Sequence, residues 1–246
     1  MVGLAFQATE CHAPVHLVHC DDPPPRRPLL SRSPRDVTRR LVQLYVGLAL
    51  YGVSSALLVD AGLGLEPWGV LHQGLSRLTG LTIGTVSIIV GAAVLLLWIP
   101  LRQRPGLGTV SNVFVIGLAM DSTLDLVPSV HGLPGRIPLM AAGILLNGVA
   151  TGLYISARFG PGPRDGLMTG LHRLTGLSIR LSRTAIEIAV VATGFALGGT
   201  LGVGTVVYAL AIGPLAQLFL RLFALPDPAA DRPSLAGAAP QAILPE

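Results

Sequence analysis

The sequence predicts an all-α polytopic membrane protein with about six transmembrane helices, arranged as two inverted three-span repeats. Three observations predict it. First, 51% of the 246 residues are hydrophobic and only 12% are charged, about half the ~25% of ordinary soluble domains. Second, residues 71–83 (LHQGLSRLTGLTI) recur as 167–179 (LMTGLHRLTGLSI) with nine of thirteen positions identical. The same 96-residue offset carries Gly106-Leu107-Gly108-Thr109 onto Gly202-Val203-Gly204-Thr205, and Gly47, Gly52 and Leu57 onto Gly143, Gly148 and Leu153. Third, the arginines are one-sided. With the N-terminus in the cytoplasm, fifteen fall in inside segments and only Arg77 and Arg136 fall outside, the bias expected of cytoplasmic loops. Three spans per copy is an odd number, so the copies must lie in opposite senses, a plan common in transporters.

The elements follow in order. Residues 1–38 read as a disordered tail, broken by Pro23-Pro24-Pro25 and Pro34 and without apolar periodicity. It lacks the basic start and continuous apolar core of a secretory signal. The transmembrane domain covers 39–223, with repeat 1 at about 41–127 and repeat 2 at about 137–223. Six apolar runs lie within it, at 41–59, 83–101, 107–127, 138–157, 184–200 and 204–223. About 20 residues of helix cross a ~30 Å hydrocarbon core. Residues 224–246 are rich in Ala and Pro and read as a second tail. Both termini are then cytoplasmic.

Each copy also holds a short polar helix, at 66–79 and 162–175. Pro67 or Pro163 suits its first turn, and Gly80 or Gly176 suits its stop. Two readings stay open: an amphipathic helix lying flat at each interface, or a pair of re-entrant half-helices offering unpaired N–H groups to a solute. The copies differ here in polar content, with Trp68-Gly69 against Arg164-Asp165 and His72-Gln73 against Met168-Thr169. That asymmetry suits one site rather than two equal ones.

Few polar residues fall within the runs. Asp121 and Asp125 share one face of the third span; Asp121 either faces a cavity or marks an early helix end at the interface. Asn147 suits an interhelical hydrogen bond. Glu187 follows Arg183 by four residues, the spacing of a local ion pair. Trp98, beside Arg102 and Arg104, suits an interfacial anchor. Gly106–Thr109 and Gly202–Thr205 lack the following Lys of a phosphate loop and read as turns opening a helix.

Several function classes find no support. The net charge of +4 comes from membrane-flanking arginines without interleaved aromatics, so no nucleic-acid partner is expected. Cys11 and Cys20 lie in the tail, so no disulfide staples the body. With His12, His16 and His19 they offer metal-ligand types at irregular spacing, and no metal and no cofactor are expected. No catalytic set of nucleophile, base and acid is apparent, so no enzyme is expected.

At residues 65–75 (LEPWGVLHQGL), 84–87 (GTVS) and 160–169 (GPGPRDGLMT), the chain resembles the YczE/YyaS/YitT family of bacterial integral membrane proteins. The resemblance covers about residues 38–223. It implies a multi-pass protein of the bacterial plasma (inner) membrane and carries over no substrate and no catalytic residue. The family's common Pro-Trp-Asp stands here as Pro67-Trp68-Gly69, with Asp165 at the matching place in the other copy. The expectation is a small-solute permease or channel-like transporter whose site joins Pro67, Trp68, His72 and Gln73 to Pro163, Arg164 and Asp165, with Asp121 and Asn147 as further candidates. The alternative is a non-transporting membrane scaffold that supports a partner system. Expected partners are the lipid bilayer and a small-molecule solute; a protein partner or a second copy of the chain stays open.

Overall fold

The computed structural model describes residues 34–128 and 130–224. Among them are eight α-helices and no strand: α1 (Pro34–Ala61), α2 (Pro67–Thr79), α3 (Ile83–Leu97), α4 (Leu107–Leu126), α5 (Leu133–Ser156), α6 (Pro163–Thr175), α7 (Ile179–Ala196) and α8 (Val203–Phe223). The expected C-terminal tail beyond 224 lies outside the described residues. So does the N-terminal tail with its Cys11–Cys20 cluster, apart from 34–38, which open α1. The 96-residue offset carries α2 onto α6 residue for residue, and the first residues of α3 and α4 onto those of α7 and α8.

α1 and α5 form the centre and run antiparallel. A Cβ on Gly47 would lie 2.7 Å from the Tyr154 backbone nitrogen, and one on Gly143 3.1 Å from Leu58 Cδ2. The repeat offset exchanges these two contacts. In lipid, where apolar surface alone gives no driving force, such backbone approach through small residues holds helices together. α4 packs on α1 at Gly52, and α8 packs on α5 at Gly148 and Gly152. The connections then cross between copies. Leu63, before α2, accepts a hydrogen bond from Gly204 N of α8 (2.8 Å), and Phe159, before α6, accepts one from Gly108 N of α4 (3.0 Å). Gly64 and Gly160 both take φ +125° to make these turns. The Gly-x-Gly-Thr segments do open helices, as the sequence suggests, and they also seat the other copy's loop.

The copies diverge at the third helix. A Cβ on Gly84 would overlap the Gly117 carbonyl oxygen of α4, and one on Gly91 would press on Val113 at 3.1 Å. Those two glycines let α3 lie against α4. Their counterparts are Arg180 and Glu187, too large for that approach, and α7 packs instead on α2, where a Cβ on Gly74 would lie 2.6 Å from the Gly194 carbonyl oxygen.

α2 and α6 each begin with proline and end on a left-handed glycine, Gly80 (φ 73°) and Gly176 (φ 70°). Their burial is graded along the axis rather than across it. In α2, Trp68, Gly69, Val70, His72, Gln73 and Gly74 are buried, while Leu78 is 68% exposed. In α6, Leu174 is 65% exposed, while Pro163, Gly166, Met168 and Gly170 are buried.

Four helices, α1, α4, α5 and α8, are long and apolar enough to cross a membrane, and a fifth crossing counts α2 and α3 together as one span bent by 112°. α3 stops at Leu97, just before the turn that carries Pro100. α7 starts at Ile179 rather than 184, because Ser178 caps it by accepting from Leu181 N (3.2 Å). It thereby takes in Arg180 and Arg183. Trp98 is not an interfacial anchor: it is 1% exposed, packs on Gly166, and donates Nε1–H to the Pro163 carbonyl at 3.0 Å.

Two substitutions test this packing. Gly84→Ala is expected to lower stability by about 1–3 kcal/mol through overpacking against α4. Arg180→Ala, at an exposed position, stays within about 0.5 kcal/mol of the parent. SDS-induced unfolding of the purified protein measures both.

Candidate functional site

The turn after α1 folds the chain back along its own helix. Glu66, the residue before α2, reaches the level of Ser55, whose hydroxyl donates to Glu66 Oε1 at 3.1 Å. Ser55 lies six residues before the end of α1, so α2 begins about 9 Å inside that end by helix rise. Glu66 is 4% exposed, and its second oxygen, Oε2, makes no hydrogen bond among the described residues. Its carboxylate lies over Gly69, where a Cβ would come within 2.8 Å of Glu66 Cδ. The missing side chain of the Pro-Trp-Gly segment thus makes room for the preceding acid.

The second copy solves the same problem in reverse. Gly162 stands where Glu66 does, and Asp165 stands where Gly69 does. A Cβ on Gly162 would lie 3.2 Å from Asp165 Oδ2. Each short helix therefore has one carboxylate over its first turn, supplied from the residue before the helix in α2 and from its third residue in α6. A negative charge there is favoured by the unpaired N–H groups and the dipole of the helix start. Asp165 is exposed and lies within electrostatic reach of Arg164 and Arg183.

Arg164 joins the two helix starts. Its guanidinium carbon sits 4.9 Å from the centroid of the Trp68 ring, and it lies within electrostatic reach of Glu66, Tyr51, Tyr154 and Tyr208. Tyr51 and Tyr154 meet edge to face with centroids 6.2 Å apart. Tyr208 donates its hydroxyl to Asn147 Oδ1 (2.9 Å), Asn147 Nδ2 donates to Ser54 Oγ (2.8 Å), and Ser54 Oγ donates to the Tyr51 carbonyl (2.7 Å). His72 is buried behind Trp68, with ring centroids 6.4 Å apart.

The residues singled out from sequence thus separate into groups. Trp68, His72 and Arg164 come together, with Asp165 beside them on α6 and Asn147 tied in through Tyr208. Pro67 and Pro163 open the two helices; the Pro163 carbonyl is held by Trp98. Gln73 turns away and accepts from Thr200 N at 2.6 Å, fastening α2 to the α7–α8 turn. Asp121 stands apart. Its carboxylate accepts from Gly84 N (2.7 Å), Thr85 N (3.1 Å) and the Thr82 hydroxyl (2.5 Å), so it caps the start of α3. Sequence reading missed Glu66, Ser55 and the three tyrosines. Three of the four tyrosines fall at the centre of the fold, whereas Tyr45 is 43% exposed; hydroxyl-bearing aromatics within apolar runs were the available signal. No group of three or more His, Cys, Asp or Glu among the described residues is placed to hold a metal ion.

Where α7 stands off α8, a cleft of about 420 Å³ opens, lined by Pro67, Glu187, Ile188, Phe195, Thr205 and Ala209 among others. Its walls are mainly apolar, and they include Pro67, at the start of α2. Arg183 donates Nε–H to Glu187 at 2.9 Å, as the four-residue spacing suggests.

No solved structure matches the chain. Relatives are found in two bacteria. An uncharacterized protein of Haemophilus influenzae is 42% identical over 181 residues, covering 74% of this chain and 83% of that protein. The uncharacterized membrane protein YczE of Bacillus subtilis is 31% identical over 195 residues, covering 78% and 88%. Protein YyaS of the same organism is 26% identical over 179 residues, covering 71% and 89%. YczE and YyaS are two of the names to which the sequence motifs pointed. With residues 38–221 matching its family model, this helical membrane protein belongs to the family of unknown function DUF6198.

Proposed function

We propose that the protein is a small-solute permease or channel-like transporter of a bacterial plasma membrane, built as two inverted three-span repeats with both termini in the cytoplasm. One observation carries the reading: Glu66, Arg164, Asp165 and three tyrosines gather at the starts of two short helices, inside a shell of apolar helices. A charged side chain near the middle of a bilayer costs roughly 2.5–3.5 kcal/mol on insertion scales, and such residues mark solute or ion pathways. A scaffold has no use for that cost.

The inverted arrangement draws support from three features. α1 and α5, the matching helices of the two copies, pack antiparallel. The loops before α2 and α6 cross reciprocally to the other copy. Both short helices bury their starts and expose their ends, which favours re-entrant half-helices over helices lying flat. In the six-span reading, α3 and α7 complete the crossings. α3, at 15 residues, spans about 22 Å by itself. α7 carries Arg183 and Glu187 into the protein's second half, where its cleft gives room for movement that the glycine-seated α3 lacks.

Two experiments test this. With Cys11 and Cys20 replaced by serine, a cysteine at position 165 is expected to react with a membrane-impermeant thiol reagent from one face of the membrane. One at position 121 is expected to stay protected, because the start of α3 occupies that carboxylate. Protection of position 165 from both faces favours the scaffold. Metabolite profiling of a deletion strain is expected to show accumulation or depletion of a small solute. Complementation with the parent or Arg180→Ala restores it, and complementation with Arg164→Ala does not.

A further inference from the structure

Around Arg164, carboxyl groups outnumber guanidiniums. Three carboxylates, Glu66, Asp165 and Glu187, share two guanidiniums, Arg164 and Arg183. Arg183 is bound to Glu187 and also acts on Asp165. Arg164 lies over the Trp68 ring rather than in an ion pair with Glu66, and Glu66 Oε2 is buried with no hydrogen-bond partner among the described residues. A buried carboxylate with an idle oxygen needs a donor or a cation.

The surroundings say which. An indole face at 4.9 Å from a guanidinium, with the phenols of Tyr51, Tyr154 and Tyr208 within electrostatic reach, makes a partial aromatic enclosure of the kind that holds cations. The helix starts, which would otherwise attract an anion, are already faced by the chain's own carboxylates at Glu66 and Asp165. An incoming anion would meet two carboxylates at the helix starts. A cation would meet the idle oxygen of Glu66.

We propose that this enclosure is a cation site, that the guanidinium of Arg164 occupies it as a tethered occupant, and that the solute is a monovalent organic cation, an ammonium or guanidinium compound, bound by Glu66 and Trp68. The proposal rests on the permease reading and names the solute class for that same site. Arg164 withdraws when the solute enters, so occupancy of the Trp68 face reports binding.

The protein holds only two tryptophans, Trp68 and Trp98, and Trp98 is packed away against α6. The full chain in phosphatidylcholine nanodiscs is titrated at constant ionic strength with guanidinium, methylammonium and tetramethylammonium chlorides, and with sodium acetate, reading tryptophan fluorescence. A saturable change is expected with at least one organic cation and none with acetate. Glu66→Gln, which keeps the acceptor for Ser55, is expected to weaken cation binding by about tenfold or more, and Arg164→Ala to strengthen guanidinium binding by a similar factor by emptying the enclosure. The double variant loses that gain. Monodispersity on size exclusion checks that each variant is folded. A saturable response to acetate that Arg164→Ala abolishes overturns the proposal and makes Arg164 an anion receptor, leaving the permease reading intact. Parent-like cation affinity in Glu66→Gln also overturns it. No response to either class overturns it as well, and with position 165 closed to aqueous reagent from both faces that outcome takes the permease reading down too.

Discussion

Everything in this fold hangs on the antiparallel contact between α1 and α5. Gly47 and Gly143 bring the two backbones close enough for each helix to press on the other's chain. Because those glycines are repeat partners, one contact fixes both copies at once. α4 and α8 then pack on the outer flanks through Gly52, Gly148 and Gly152. The loops at Leu63 and Phe159 have nowhere to go but onto the start of the other copy's last helix. That exchange turns the starts of α2 and α6 inward, and it is why Trp68 of one copy can meet Arg164 of the other.

The chemistry lies in the departures from symmetry. Where one copy has Glu66 and Gly69, the other has Gly162 and Asp165. The carboxylate stays over the first turn while its residue number moves by three. Trp68 answers to Arg164, so the ring and the cation that covers it are repeat partners. Gly84 and Gly91 answer to Arg180 and Glu187, and that pair of exchanges decides which third helix lies tight against its neighbour and which stands off. A sequence written twice has thereby acquired one third helix seated on its neighbour and one that stands off.

The sequence showed the framework well, because the framework rests on local rules. Pro67 and Pro163 mark helix starts, Gly80 and Gly176 mark stops, and the repeat offset transfers both from copy to copy. It was weaker on helix limits near charge. Hydropathy placed the start of the fifth run at 184, whereas the Ser178 cap sets it at 179. Trp98 looked like an anchor beside Arg102, and only tertiary packing reveals the slot above Gly166 that takes its ring. Asp121 drew notice as a charge within a span; the fold uses it as a cap for α3, a partner 36 to 39 positions away in the chain. Glu66 went unremarked because an acid before a proline-led helix looks like an ordinary cap. Its importance comes from burial and from the gap at Gly69, neither of which has a local signature.

The central claim is that the two copies lie in the membrane as inverted counterparts, so their short helices enter from opposite faces. Leu78 and Leu174, repeat partners at the exposed ends of α2 and α6, report this directly. Single cysteines at those positions, in a chain with Cys11 and Cys20 replaced, are treated with an impermeant thiol reagent in intact cells and in inverted membrane vesicles. Labelling of position 78 in cells alone and of position 174 in inverted vesicles alone is the expected result. Labelling of both from the same face would contradict the account.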